Sequence, residues 1–189
     1  MRKLTMAELN RLSLAEYQEV EKLDIIIVLD NVRSLSNIGS FFRTADAFRI
    51  GEIFLCGITA CPPHREIHKT ALGAEESVKW RYFETTEDAC KYLKENDYTI
   101  NAVEQIEGSI MLSDYIHSSK SAYIFGNEVD GVDDDVLTYC DNAIEIPQEG
   151  TKHSLNVSVS AGIVMYSIFD SLRLKGTHRM CPKTSNVSD

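Results

Sequence analysis

Residues 24–29, Asp24-Ile25-Ile26-Ile27-Val28-Leu29, form an apolar run with one acid at its start, the pattern of a strand buried on both faces of a parallel sheet. Further strand-like runs lie at 52–58, 79–83, 98–104, 121–125 and 143–146, separated by helix-like spacing at 37–48, 86–95, 134–141 and 154–174. This alternation predicts an α/β fold, a single domain built on a parallel sheet. Upstream, residues 5–23 read as a helix, opened by Thr5 with Glu8 and reset by Ser13 with Glu16, two capping-box pairs. Leu9, Leu12, Tyr17, Val20 and Leu23 form its loose apolar stripe. The helix at 154–174 is apolar nearly all round (Val157, Val159, Ala161, Ile163, Val164, Met165, Tyr166, Ile168, Phe169, Leu172), so burial is expected on all its sides. In a chain this short, one side can be the sheet and the other a second subunit. The polar segment from Gly176 to Asp189 reads as a loose tail.

Against this scaffold, three stretches crowd polar residues and Gly onto the ends of apolar runs. They are Asn31-Val32-Arg33 through Asn37-Ile38-Gly39 to Arg43; Phe125-Gly126-Asn127-Glu128 with Gly131; and Ile144-Glu145-Ile146-Pro147 leading to Ser154-Leu155-Asn156. Strand ends leading into helices are where open α/β sheets place ligand sites. Each residue also has a purely structural reading. Asn37, Ser154 and Asn156 are good N-caps, and Gly39 permits close approach. Arg43 can pair with Asp46 or Glu52, and the Asp133-Asp134-Asp135 run suits a helix N-terminus. Residues 126–131 lack the Gly-Lys-Ser/Thr of a phosphate loop, and Glu128 and Asp130 would repel phosphates.

Composition narrows the picture. The 189 residues fit one domain with a full-sized core, or two small ones. No apolar run approaches the ~20 residues of a membrane helix and the start lacks a signal-peptide core, so a cytoplasmic protein with no membrane partner is expected. Five scattered cysteines without a Cys-x-x-Cys imply reduced thiols. Cys56, Cys61, His64 and His68 lie within 13 residues, too compressed for an ordinary zinc fold, and no metal is expected. The net charge of −10 opposes bulk nucleic-acid binding, yet Arg33, Arg43, Arg49, Arg65, Lys69, Lys79, Arg81 and Lys152 fall in or beside the three stretches. A local basic track on an acidic body reconciles the two, and so does a set of ordinary solvated side chains.

The three stretches, in this order and spacing, resemble the motifs of the SpoU-type (TrmH-like) RNA 2′-O-ribose methyltransferases of the SPOUT superfamily. The first motif spans Asn31 to Phe48, the second Ile124 to Gly131 and the third Ile144 to Ala161; the match covers roughly residues 24–174. Arg49 stands where many members have Gly, and Gln148 where many have Met. The resemblance implies a SPOUT fold with a C-terminal trefoil knot, which connection rules alone would never suggest. It also implies S-adenosylmethionine as cofactor, transfer of its methyl to a ribose 2′-hydroxyl in tRNA or rRNA, and a homodimer packed through the last helix. On that reading residues 1–23 are an N-terminal helical extension, 24–175 the methyltransferase domain and 176–189 a flexible tail.

Site residues follow from the same resemblance. Arg43, Asn37, Glu128, Ser154 and Asn156 are the catalytic candidates, with Glu128 orienting its neighbours. Glu104, Gly126, Ile144, Ile146, Ser154 and Leu155 are the cofactor candidates, acting largely through backbone. Asn31, Arg33, Arg43, Arg65 and Lys69 are the RNA candidates; Asn31 and Arg33 could equally organise the active site. Family precedent gives Arg43 the task of activating the hydroxyl. A guanidinium, with a pKa above about 12, is a poor base, so a cationic clamp on the adjacent phosphate is the physically safer role. A binding module of another class, keeping the fold without catalysis, is the competing reading.

Overall fold

The computed structural model describes residues 2–5, 8–9 and 11–174. In chain order the elements are α1 (Leu14–Glu19), β1 (Leu23–Asp30), α2 (Leu35–Ala47), β2 (Ile50–Cys56), α3 (Arg65–Ala71), α4 (Ala74–Ser77), β3 (Lys79–Phe83), α5 (Thr86–Glu95), β4 (Thr99–Val103), β5 (Ile110–Met111), β6 (Ser121–Phe125), α6 (Asp134–Leu137), β7 (Asn142–Glu145) and α7 (Val157–Leu174). The strands make one sheet in the order β3-β2-β1-β6-β4-β7-β5, and every pair is parallel.

Alternation along β1 sends side chains into two cores. Leu23, Ile25, Ile27 and Leu29 join Ile38, Phe41 and Phe42 of α2 with Val164, Met165 and Ile168 of α7. Ile26 and Val28 join Ala89, Cys90 and Leu93 of α5 and Val136 of α6 on the opposite face. A strand sealed on both sides explains the unbroken apolar run at 25–29. Because all strands are parallel, the loops after β1, β2, β4, β6 and β7 leave one edge of the sheet, where the three polar stretches converge.

Several expectations change. The helix expected over 5–23 is formed, among the described residues, only at Leu14–Glu19; its Ser13–Glu16 capping box is present, and Leu23 already belongs to β1. The helix expected at 134–141 ends at Leu137, and the strand β5 and helices α3 and α4 were not anticipated. Within the single chain α7 is covered on one side: Val159, Ile163 and Tyr166 are exposed to 50%, 38% and 55%, the side that the sequence reading gave to a second subunit, while Ile168 is fully buried. α2 begins at Leu35 with Ser34 as its cap, so Asn37 is not the N-cap but lies inside the first turn. Asp133 caps α6 as the acidic run suggested, through the backbone N–H of Asp135. The tail 176–189 lies outside the described residues.

Candidate active site

Release from capping leaves the Asn37 amide free for another task, and it is buried. Its Nδ2 donates to Glu128 Oε1 at 2.9 Å, across 91 residues of sequence. A carboxylate only accepts, so this bond fixes the amide and turns Asn37 Oδ1 the other way. There it receives Asn156 Nδ2 at 3.2 Å, with the Ser158 hydroxyl 3.4 Å away. Asn156 Oδ1 in turn accepts from the backbone N–H groups of Ser158 (2.9 Å) and Val159 (3.4 Å), capping α7. One chain of hydrogen bonds with a single polarity thus runs from Glu128 through α2 to the N-terminus of α7, taking one residue from each polar stretch.

Glu128 also accepts from the backbone N–H groups of Arg33 (3.3 Å) and Ser34 (3.2 Å), at the unpaired start of α2. The residue is exposed overall, but its oxygens turn inward. Partial burial pushes its pKa up; the Asn37 amide and the backbone donors, including Arg33 and Ser34, outweigh that and hold it below the usual carboxylate range. At neutral pH the chain therefore ends on an anion.

The loop carrying Glu128 is closed on itself. Asn127 and Gly131 exchange backbone hydrogen bonds of 3.1 and 3.2 Å, and Asn127 Oδ1 accepts from the N–H groups of Val129 and Asp130. A Cβ on Gly126 would stand 1.9 Å from the Gly131 carbonyl carbon, so only glycine allows this closure. Asp30, absent from the sequence candidates, braces the base of the loop. Its buried carboxylate accepts from Thr86 Oγ1 (2.6 Å), Asn31 Nδ2 (2.9 Å) and the Asp133 N–H (3.1 Å), joining three segments. A lone acid ending an apolar run was the available signal.

Residues 24–166 match the model of the SpoU rRNA Methylase family. The chain belongs to that family. A tRNA (guanosine(18)-2′-O)-methyltransferase of Thermus thermophilus is 30% identical over 166 residues, covering 88% of this chain and 84% of the relative. The 23S rRNA (guanosine-2′-O-)-methyltransferase RlmB of Neisseria meningitidis serogroup B is 31% identical over 144 residues, covering 75% of this chain and 56% of that protein. Among solved structures, the Aquifex aeolicus TrmH/SpoU tRNA modifying enzyme superposes with a TM-score of 0.78 at 24% identity, over 87% of this chain and 83% of that one. The SpoU methyltransferase AviRb of Streptomyces viridochromogenes, in complex with AdoMet, gives a TM-score of 0.75 at 21% identity, over 84% and 64%.

In this SpoU-family chain the other candidates fall into two groups. Arg43 leaves α2 six residues after Asn37, on a different face of the helix, and does not join the Glu128–Asn37–Asn156 chain. It is exposed and makes no hydrogen bond or ion pair among the described residues. The carboxylates that could have neutralised it are engaged: Asp46 by Ser77 Oγ (2.6 Å), Glu52 by a bidentate Arg81 (2.8 and 2.7 Å). Arg33 and Arg65 are likewise exposed cations, and Lys69 has a loose pairing with Glu66 at 3.7 Å. Ser154 is exposed, Leu155 is 37% exposed, and Ile146 is half-buried against the core.

The second group has partners within the fold. The Asn31 side chain is engaged at both ends, donating to Asp30 and accepting from the Ile58 N–H at 3.1 Å, in a left-handed backbone of φ 54°. Glu104 accepts from the N–H groups of Gln105 (2.9 Å) and Val132 (3.1 Å), stapling the Glu128 loop. Ile144 has its side chain in the core, and its carbonyl accepts the Glu104 N–H at 3.1 Å. The compressed Cys/His group has separate duties. Cys56 is buried, which pushes its thiol pKa up; His64 caps α3; and His68 faces Glu75.

Proposed function

We propose that this protein uses S-adenosylmethionine to methylate a ribose 2′-hydroxyl in tRNA or rRNA. The observation that carries this reading is the Glu128–Asn37–Asn156 chain, which ties the three family motifs together at the carboxyl edge of the sheet, on the helix that presents an exposed Arg43. The named activities of the relatives, on guanosine ribose in tRNA and 23S rRNA, support it.

The residues present fit the cofactor. The loops at 104–109, 126–131 and 146–156 carry Glu104, Glu107, Glu128, Asp130 and Glu149 against a single Lys152. That balance opposes a polyphosphate and suits a cationic sulfonium. Ile146 and Leu155 offer apolar faces to an adenine, and the backbone of Gly126, Ile144, Ile146 and Leu155 with the Ser154 hydroxyl would complete the cradle. Once bound there, S-adenosylmethionine supplies an electrophilic methyl. Arg43, a guanidinium cation, would clamp the neighbouring RNA phosphate and favour negative charge on the 2′-oxygen. Methyl transfer would form the O–C bond as the sulfonium S–C bond breaks, leaving a neutral thioether, and the hydroxyl proton would pass to phosphate or water. Glu128 sets the polarity of Asn37 and Asn156 before substrate arrives, so no reorientation is needed during reaction.

A homodimer, a C-terminal trefoil knot and a cytoplasmic setting belong to the same reading, with 24–175 as the methyltransferase domain, 1–23 as an extension and 176–189 as a tail. Val159, Ile163 and Tyr166 fall on one stripe of α7 and give the second copy an apolar seat. No helix among the described residues is long and apolar enough to cross a membrane. The test is transfer of labelled methyl from S-adenosylmethionine to separated tRNA and rRNA, followed by mapping of linkages that resist alkali. Label in alkali-resistant linkages is expected. Cofactor binding without transfer to either RNA would leave the competing binding module.

A further inference from the structure

Among the described residues, four other than glycine have positive φ: Asn31, Arg49, Leu72 and Asp97. Asn and Asp tolerate this region; leucine does not, because its Cβ crowds the following carbonyl. Leu72 ends α3 at φ 55° and ψ 37°, with its N–H on His68 O at 2.8 Å. It is followed by Gly73 at φ 92°. The Leu72 side chain is 65% exposed. Glycine or asparagine would end the helix without the strained backbone and without an aliphatic group in water.

What lies beside this bend gives the arrangement a purpose. Gly39, Arg43 and Asp46 fall at i, i+4 and i+7 on one stripe of α2. At one end of the stripe, a Cβ on Gly39 would meet Thr70 Oγ1 at 2.0 Å and Ala71 N at 3.0 Å. At the other end, Asp46 Oδ1 accepts from Ser77 Oγ. The α3–α4 segment is thus tied to the stripe at both ends, by Thr70–Ala71 and by Ser77, and the Leu72–Gly73 bend falls between those ties as Arg43 falls between Gly39 and Asp46. The space beside Gly73 is open, with nothing within 4 Å of where a Cβ would stand.

We propose that Leu72 is a substrate-contacting residue, packing its side chain on the apolar face of the RNA nucleotide whose phosphate Arg43 holds. The proposal rests on the methyltransferase reading above. An exposed guanidinium answers a phosphate, and an exposed aliphatic group on the adjoining segment answers a sugar edge or base face and excludes water, which strengthens the field of the cation.

Leu72→Asn and Leu72→Gly relieve the backbone while removing the contact, so the test separates function from structure. The melting temperature should stay level or rise, S-adenosylmethionine affinity should stay within about threefold, and kcat/KM for RNA should fall about tenfold or more. Leu72→Met, which keeps an aliphatic group on the same strained backbone, should recover most of that loss. A merely structural leucine would give the reverse: lower melting temperature and unchanged kcat/KM per folded molecule. That result, with wild type active on RNA, would overturn this proposal alone. A wild type that binds cofactor but methylates no RNA would overturn the reading beneath it, and this proposal with it.

Discussion

Glu128→Gln probes the hydrogen-bonded chain where its charge is concentrated. The carboxylate accepts from Asn37 Nδ2, Ser34 N and Arg33 N. A glutamine keeps one acceptor oxygen, so at least one of these donors would face an amide N–H instead. A hydrogen bond to a charged group contributes roughly 1.5–3 kcal/mol, and an anion at a helix N-terminus about 0.3–1. Exposure of Glu128 argues for the low end, a loss of about 1.5 kcal/mol, or about 3–6 °C in melting temperature for a chain of this size. The pH dependence gives the sharper test. Glu128 has a lowered pKa in the folded state, so its contribution is fully present above the unfolded value and is lost as pH falls through the folded one. Thermal melts of wild type and variant should differ most near neutrality and converge well below pH ~4. Turnover should fall about tenfold or more with cofactor affinity retained, because Asn37 loses its fixed orientation. A gap of equal size at both ends of the pH range, or full turnover in a destabilised variant, would refute the role assigned to Glu128.

Three further outcomes are expected. Arg43→Ala should cut turnover by about two orders of magnitude while S-adenosylmethionine affinity, read by titration calorimetry, stays within about threefold. Gly39→Ala should destabilise the fold by about 2 kcal/mol in urea titration, since the new methyl would stand 2.4 Å from Ile67 O as well as near Thr70, and Thr70→Ala would not rescue it. If the proposed homodimer packs on the exposed stripe of α7, light scattering should show a dimer for wild type and a monomer for Ile163→Glu; Ile168, fully buried, is the wrong place for that charge and should instead cost the fold.

Local pattern determined a good deal. The β1 run, the α5 bounds at 86–95 and the β3 bounds at 79–83 were all legible, because periodicity and capping act over a few residues. The convergence of the three polar stretches was legible too, since parallel strands send their following loops to one edge. Sequence could not assign the partners. Asn37 read both as a cap, which an asparagine before an apolar stripe normally is, and by resemblance as a catalytic candidate; its side-chain partners, Glu128 and Asn156, lie 91 and 119 residues away. Asn31 and Glu104 read as ligand-contact candidates; the fold adds partners that sequence could not show, the Ile58 and Val132 N–H groups, brought near only by the folded loops. The apolar circumference of α7 suggested burial on every side. Packing against α2 and the sheet closes one face and leaves Val159, Ile163 and Tyr166 in solvent. Leu72 gave no signal at all, for a left-handed leucine is disfavoured locally and nothing in the neighbouring sequence calls for one. Composition and spacing thus decide which elements form and where their ends meet, because those are short-range energies. Which polar atom satisfies which, and which apolar face stays open, depends on distances between segments far apart in the chain, and those exist only once it is folded.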